Sequence, residues 1–187
     1  MASFTMRNCL RGMAVFAIIA CASLSLKAQT TTADSAEIAT LFSQIKTHAV
    51  LAEADAETLE SYTRSHASWQ SHSARIEQVK EHVNDLIGDY QKANELRPAG
   101  SAWQQQAIEQ MEPLIKGMAD HLTASIRHLN QNQDRIHMKE WQDYIRANRD
   151  YTARAAGLLR DVVDYSEAKN KADSLEQRLG VADNSGE

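Results

Sequence analysis

Apolar residues recur at steps of three and four through most of the chain from residue 34 onward, the spacing of one face of an α-helix. The alternating runs of a half-buried strand do not occur. Glycine and proline, which interrupt helices, number only seven and two in 187 residues. The sequence therefore predicts an all-α fold, whose first apolar face consists of Ile38, Leu41, Phe42, Ile45, Ala49, Ala52, Ala56 and Leu59.

Turn and capping residues divide this pattern into four segments. The Arg-Pro-Ala-Gly-Ser sequence at 97–101 is the clearest turn, and Ser101 with Gln104 forms a capping box that opens a helix. A polar stretch lies at 130–134, and Gly180 suits a helix C-terminus. The predicted helices span residues 34–64, 68–96, 101–131 and 137–179.

Two of these boundaries have alternatives. Neither glycine nor proline interrupts residues 34–87, so one continuous helix over 34–96 is the alternative to two. We favour a break, because an unbroken helix of that length needs a coiled-coil partner. Pro113 lies inside the third helix, where we expect a kink and where a split into two helices is the alternative.

Short connections between amphipathic helices predict a single domain over residues 34–180, an antiparallel up-down four-helix bundle. Helices of about 30 residues are about 45 Å long, so we expect an elongated shape. The last third of the fourth helix has few large apolar residues and is expected to project beyond the bundle. Residues 181–187 are predicted to be a disordered tail.

The first 28 residues have the features of a cleavable signal peptide. Arg7 and Arg11 precede an uncharged, mostly apolar run at 13–26, which is too short for a stable membrane span. We predict cleavage after Ala28, followed by a flexible lead-in at 29–33. The protein is then expected to be periplasmic or secreted, with no transmembrane helix in its mature form.

A lipid anchor is the alternative outcome of export. Ile-Ile-Ala-Cys at 18–21 resembles a bacterial lipobox, in which Cys21 would be acylated and would anchor the protein to the envelope. Against this, the apolar run continues past Cys21 to Leu26. Since Cys9 and Cys21 are the two cysteines, a chain cut after Ala28 has no thiol for a disulfide, a metal or catalysis.

The charge of the mature chain argues against nucleic acid as a partner. Three of the 20 basic residues and none of the 25 acidic ones lie in residues 1–28, so the remainder has 17 basic and 25 acidic residues and a formal charge of −8. Because nucleic-acid binding relies on Lys and Arg contacts to phosphates, we expect no nucleic-acid partner.

Histidines are the candidate metal ligands of this chain. His72 lies near the centre of the second helix's apolar face, between Trp69 and Ile76, where an imidazole needs a hydrogen-bond partner or a metal. His121 and His128 share a face of the third helix, but two turns separate them, so they cannot both ligate one ion. His72 with His121 or His128 is therefore the candidate site. The alternative is a histidine that is hydrogen-bonded across the core.

Motifs of catalysis and cofactor attachment do not occur. The sequence contains no Gly-x-Ser-x-Gly elbow, Gly-rich phosphate loop or His-Glu-x-x-His, and the nearest approach to the Glu-x-x-His of ferritin-like bundles is Asp-Arg-Ile-His at 134–137. We therefore expect no catalytic residues, no enzyme activity and no cofactor. The expected function is to bind or scaffold other macromolecules, through a protein partner or by self-association. The alternative is a metal- or haem-carrying bundle that uses the histidines of helices two and three.

Overall fold

The computed structural model describes residues 33–65 and 67–180, and all regular secondary structure in these ranges is helical. Four α-helices follow one another along the chain: α1 (Ala36–Arg64), α2 (Trp69–Leu96), α3 (Ala102–Gln131) and α4 (Lys139–Leu179). Single 3-10 turns lie at Arg97–Ala99 and Gln133–Arg135. The prediction of an all-α fold with four helices is confirmed. The predicted signal peptide with Cys21, most of the lead-in and the tail at 181–187 lie outside the described residues.

The helix boundaries follow from side-chain caps and local breaks. Ser35 begins α1 and Ser68 begins α2, each through a hydroxyl that accepts a hydrogen bond from a backbone N–H three residues later. Residues 34–96 thus form two helices rather than one. α3 continues without interruption through Pro113, so the alternative of two helices there is wrong. α4 ends at Gly180, whose φ of 63° is left-handed and suits glycine.

The four helices pack as a bundle in which α1 contacts α2 and α4, and α3 contacts α4 and α2. α1 and α4 run in opposite directions. In the ion pairs between them, the residue number falls on the α1 side as it rises on the α4 side: Glu60 with Arg149, Glu53 with Arg160, and Asp34 with Lys169. α1 and α2 are also antiparallel, because Asp55 pairs with Arg75 while His48 lies beside Asp89.

The core of the bundle is built from one apolar face of each helix. All eight positions of the apolar face predicted for α1 are buried. Trp141 of α4 and Phe42 of α1 are the largest fully buried side chains in the described part of the chain. Burial of such spaced apolar faces, at roughly 25 cal/mol per Å² of apolar area removed from water, is the main force that holds the helices together.

One buried polar side chain connects the beginnings of α1 and α3. Gln104 is completely buried, and its Oε1 accepts hydrogen bonds from the backbone N–H of Ser35 at 2.9 Å and of Ser101 at 3.1 Å. Its Nε2 also donates to the backbone oxygen of Ser35 at 2.9 Å. The glutamine of the predicted capping box therefore serves two helices, which aligns the ends of α1 and α3.

Candidate functional site

His72, the central candidate from the sequence, lies in the core at the start of α2. Only 1% of its surface is exposed. Trp141, at the start of α4, donates its indole N–H to His72 Nδ1 over 3.2 Å, and the ring of Tyr62 packs edge-on against the imidazole. This is the hydrogen-bonded core histidine that was the alternative to a metal ligand.

Burial also sets the protonation state of this imidazole. Desolvation lowers the pKa of His72 below its ordinary value of 6.5, because the charged form is disfavoured away from water. Since an indole N–H can only donate, Nδ1 must be the acceptor and the proton of the neutral ring lies on Nε2. A metal at Nδ1 would have to displace Trp141.

The two histidines of α3 pack against aromatic rings of α4. The His121 ring is stacked on Tyr151 with 4.5 Å between centroids, and the His128 ring is stacked on Trp141 at 6.0 Å and lies against Tyr144 at 4.8 Å. In residues 33–65 and 67–180, neither His121, His128 nor His72 joins two further His, Cys, Asp or Glu side chains at distances suited to sharing an ion. Metal or haem ligation by these three residues stays a prediction.

A different group of potential ligands lies between α1 and α2. His48 of α1 and His82 and Asp85 of α2 each offer a donor atom, and these atoms all lie within 4.8 Å of one another. Both histidines are half-buried, and Asp85 is exposed. We call these three residues the α1–α2 histidine cluster. Two imidazoles and a carboxylate form a donor set that suits borderline transition-metal ions.

The side chains of this cluster do not saturate one another. His48 Nδ1 is buried without a hydrogen-bond partner in the described part of the chain, and the Asp85 Oδ2 beside it is 3.8 Å away. That distance is too long for a hydrogen bond. An unpaired buried polar nitrogen costs about 1–3 kcal/mol, so this nitrogen is a destabilising feature. In the tautomer whose proton lies on Nε2, a cation bound at Nδ1 would remove it.

Sequence reasoning did not find this cluster, although half of its signal is local. His82, Asp85 and Asp89 are spaced three and four residues apart, so they share one face of α2. That pattern alone is equally typical of a solvated acidic face. The residue that completes the cluster, His48, belongs to another helix, and its position depends on how α1 is rotated and aligned against α2.

The end of α4 is the other unusual surface. α4 has 41 residues, against 28 to 30 in the other three helices, and every residue from 170 to 180 is exposed. Leu175 and Leu179 are 38% and 71% exposed. None of the helices in the described ranges combines the length and hydropathy that a membrane crossing requires.

No protein-family model matches this chain, and neither a curated protein nor a solved structure shows significant similarity to it.

Proposed function

We propose that this chain is an exported, non-catalytic protein, an elongated antiparallel up-down helical bundle that binds or scaffolds other macromolecules through the free end of α4. The single observation that carries this proposal is the row of exposed apolar side chains on a helix end that the bundle does not cover. Exposed leucines are unfavourable in water, and a partner surface would bury them.

The apolar residues of this end lie on one face of α4. Their spacing alternates between three and four residues, which is the heptad pattern of a coiled-coil seam, and all are exposed: Ala168, Ala172, Leu175 and Leu179. Three turns of isolated helix are marginal in water. A second helix packed along this seam would therefore both bury the leucines and stabilise the end of α4.

The charges beside the seam favour a second copy of this chain as that helix. In a parallel two-stranded coiled coil, the g residue, which directly precedes the a position of the seam, lies opposite the e residue five positions later on the partner helix. These positions would place Lys171 opposite Glu176, so the pairing at the exposed end of α4 joins opposite charges. The proposed scaffold is thus a dimer joined through the ends of two α4 helices.

Sedimentation or light scattering over a range of protein concentrations tests this proposal. We expect a monomer–dimer equilibrium that is lost when Leu175→Ser and Leu179→Ser are combined. The matched control is Gln177→Ser, which is exposed on the opposite face of the same turns and should leave the equilibrium unchanged. Lys171→Glu should weaken the dimer, and adding Glu176→Lys should restore it.

A protein that stays monomeric at every concentration would refute self-association. The broader binding role is then tested by a photo-crosslinking amino acid at position 175, with position 177 as control, in cells that export the protein. A partner linked at 175 and not at 177 supports the proposal. Failure to dimerise together with equal labelling at both positions contradicts it.

Export itself is tested by the intact mass of the protein recovered from the envelope or the medium. A chain that begins at Gln29 is expected for a cleaved signal peptide. A heavier chain that begins at an acylated Cys21 would identify the lipid-anchored alternative, and a chain that keeps Met1 would contradict the cleaved signal peptide.

A further inference from the structure

The α1–α2 histidine cluster has the features of a metal site that is independent of the surface on α4. Its three members come from two helices, so one ion would cross-link α1 to α2. His48 contributes a buried ring nitrogen with no hydrogen-bond partner in the described ranges, which can serve as a ligand atom once the ring proton lies on Nε2. We propose that His48, His82 and Asp85 bind one divalent transition-metal ion, with Zn²⁺ as the ion that defines the site.

Carboxylates beside both imidazoles support this assignment. Asp89 Oδ2 lies 3.7 Å from His48 Nε2, and Asp55 Oδ2 lies 3.4 Å from His82 Nε2. Metal-ligating histidines usually direct their second ring nitrogen at a carboxylate, which sets the tautomer and increases the basicity of the ligating nitrogen. Both distances are longer than a normal hydrogen bond, so the contraction around an ion would also have to close these contacts. With Nε2–H of His48 then donated to Asp89, Nδ1 of His48 is the nitrogen that binds the ion.

Neighbouring cations decide which carboxylate joins the two imidazoles. Asp55 is paired with Arg75 at 2.5 Å, and Asp89 is paired with Lys92 at 2.8 Å. Asp85 has no Lys or Arg within ion-pair distance among the residues that the structure describes, and 62% of its side chain is exposed. Asp85 is therefore the carboxylate that is free to turn onto a metal, whereas Asp55 and Asp89 are held as positioning residues.

The geometry needs only a small contraction to bind an ion. Ligands at about 2.0–2.1 Å in a tetrahedral site lie roughly 3.3 Å from one another. The donor atoms of the cluster lie within 4.8 Å of one another, so side-chain rotations that move these atoms by about an ångström bring them to ligand distance. All three side chains reach the surface, which leaves the fourth position to water and allows the ion to enter.

The donor set also indicates which ions are excluded. Mg²⁺ and Ca²⁺ are hard cations that take six to eight oxygen ligands, and two of the three donors here are imidazole nitrogens. Zn²⁺ accepts nitrogen and carboxylate ligands readily, and Cu²⁺ is expected to bind more tightly still by the general order of affinities.

Titration of the exported protein, without a histidine tag, with Zn²⁺ in a calorimeter tests the proposal. We expect one ion per chain and an increase in thermal stability when Zn²⁺ is bound, with no binding of Ca²⁺. His48→Gln and His82→Gln should each weaken binding by at least 10-fold, and Asp89→Asn should weaken it by about 10- to 100-fold through loss of orientation.

His137→Gln is the matched control, because His137 is exposed and outside the cluster. It should bind Zn²⁺ as the natural chain does, and so should the chain with both α4 leucines replaced, which separates this site from the dimer surface. Thermal unfolding without metal verifies that each variant folds. The proposal is overturned if Zn²⁺ binding does not saturate, or if His48→Gln and His82→Gln bind as tightly as the control.

Discussion

Replacing Gly117 with alanine tests how closely α3 and α4 approach each other. A Cβ atom built at Gly117 would lie 2.4 Å from Tyr151 Cε1 and 2.9 Å from its Cδ1, which is well inside van der Waals contact. The tyrosine ring is not free to move away without loss. It is stacked on His121, and the guanidinium of Arg154 lies 4.2 Å from its ring centroid.

Two opposing terms set the size of this effect. Alanine is favoured over glycine in a helix interior by about 1 kcal/mol. Overpacking typically costs about 1–3 kcal/mol, and an overlap this deep falls in the upper part of that range. We therefore expect Gly117→Ala to destabilise the protein by about 1–2 kcal/mol. In a chain of this size that lowers the thermal midpoint by roughly 3–6 °C, measured by circular dichroism.

Two other helical glycines are matched controls. A Cβ at Gly88 or Gly157 would meet nothing within 4 Å, so alanine there should stabilise the protein by up to about 1 kcal/mol. In a Tyr151→Ala background the clash is gone, and Gly117→Ala should then become stabilising too. Equal stability of Gly117→Ala and Gly88→Ala would show that α3 and α4 do not approach each other this closely.

Three further predictions concern polar side chains in or beside the core. Gln104→Leu removes the hydrogen bonds to Ser35 and Ser101 and leaves their backbone groups unpaired. The free energy of unfolding, measured with urea, should therefore fall by about 2–4 kcal/mol. A decrease below about 1 kcal/mol would contradict the role of Gln104. Desolvation lowers the pKa of His72, so the unfolded chain takes up a proton at this imidazole at a higher pH than the folded chain does. The neutral imidazole therefore costs no stability above pH 6.5. As the pH falls from 6.5 toward the lowered pKa, the free energy of unfolding should decrease by at most about 1.4 kcal/mol per pH unit. His72→Gln should remove this component, and an unchanged pH profile would argue against it. A separate loss is expected below pH 3.8. Burial by itself would raise the pKa of Asp34, but the indole N–H of Trp103, which donates to its Oδ1 over 2.7 Å, and the ammonium of Lys169 lower it.

Much of the fold could be predicted because it depends on neighbours along the chain. The apolar face of α1 repeats with the period of a helix, and all eight of its predicted positions are buried. The Ser101–Gln104 capping box was recognisable too, since its two residues are only three positions apart. The core position of His72 followed from the same periodicity.

The partners of these residues could not be predicted. His72 is hydrogen-bonded to Trp141, and Gln104 to Ser35, in each case across 69 residues of sequence. Gly117 opposite Tyr151 is a similar contact between two helices. Such pairs depend on the rotation of each helix and on its axial alignment with its neighbour, which result from the packing of all four helices together.

The sequence by itself determined the four helices, the capping box that opens α3 and the face that α1 buries, because helix formation and amphipathicity are local properties. Only the tertiary structure decided which polar groups meet between helices. His82 and Asp85 share a face of α2 in any helical arrangement, but they become a candidate metal site only when α1 places His48 beside them. A change of about 100° in the rotation of α1, equal to one residue along the helix, would separate them.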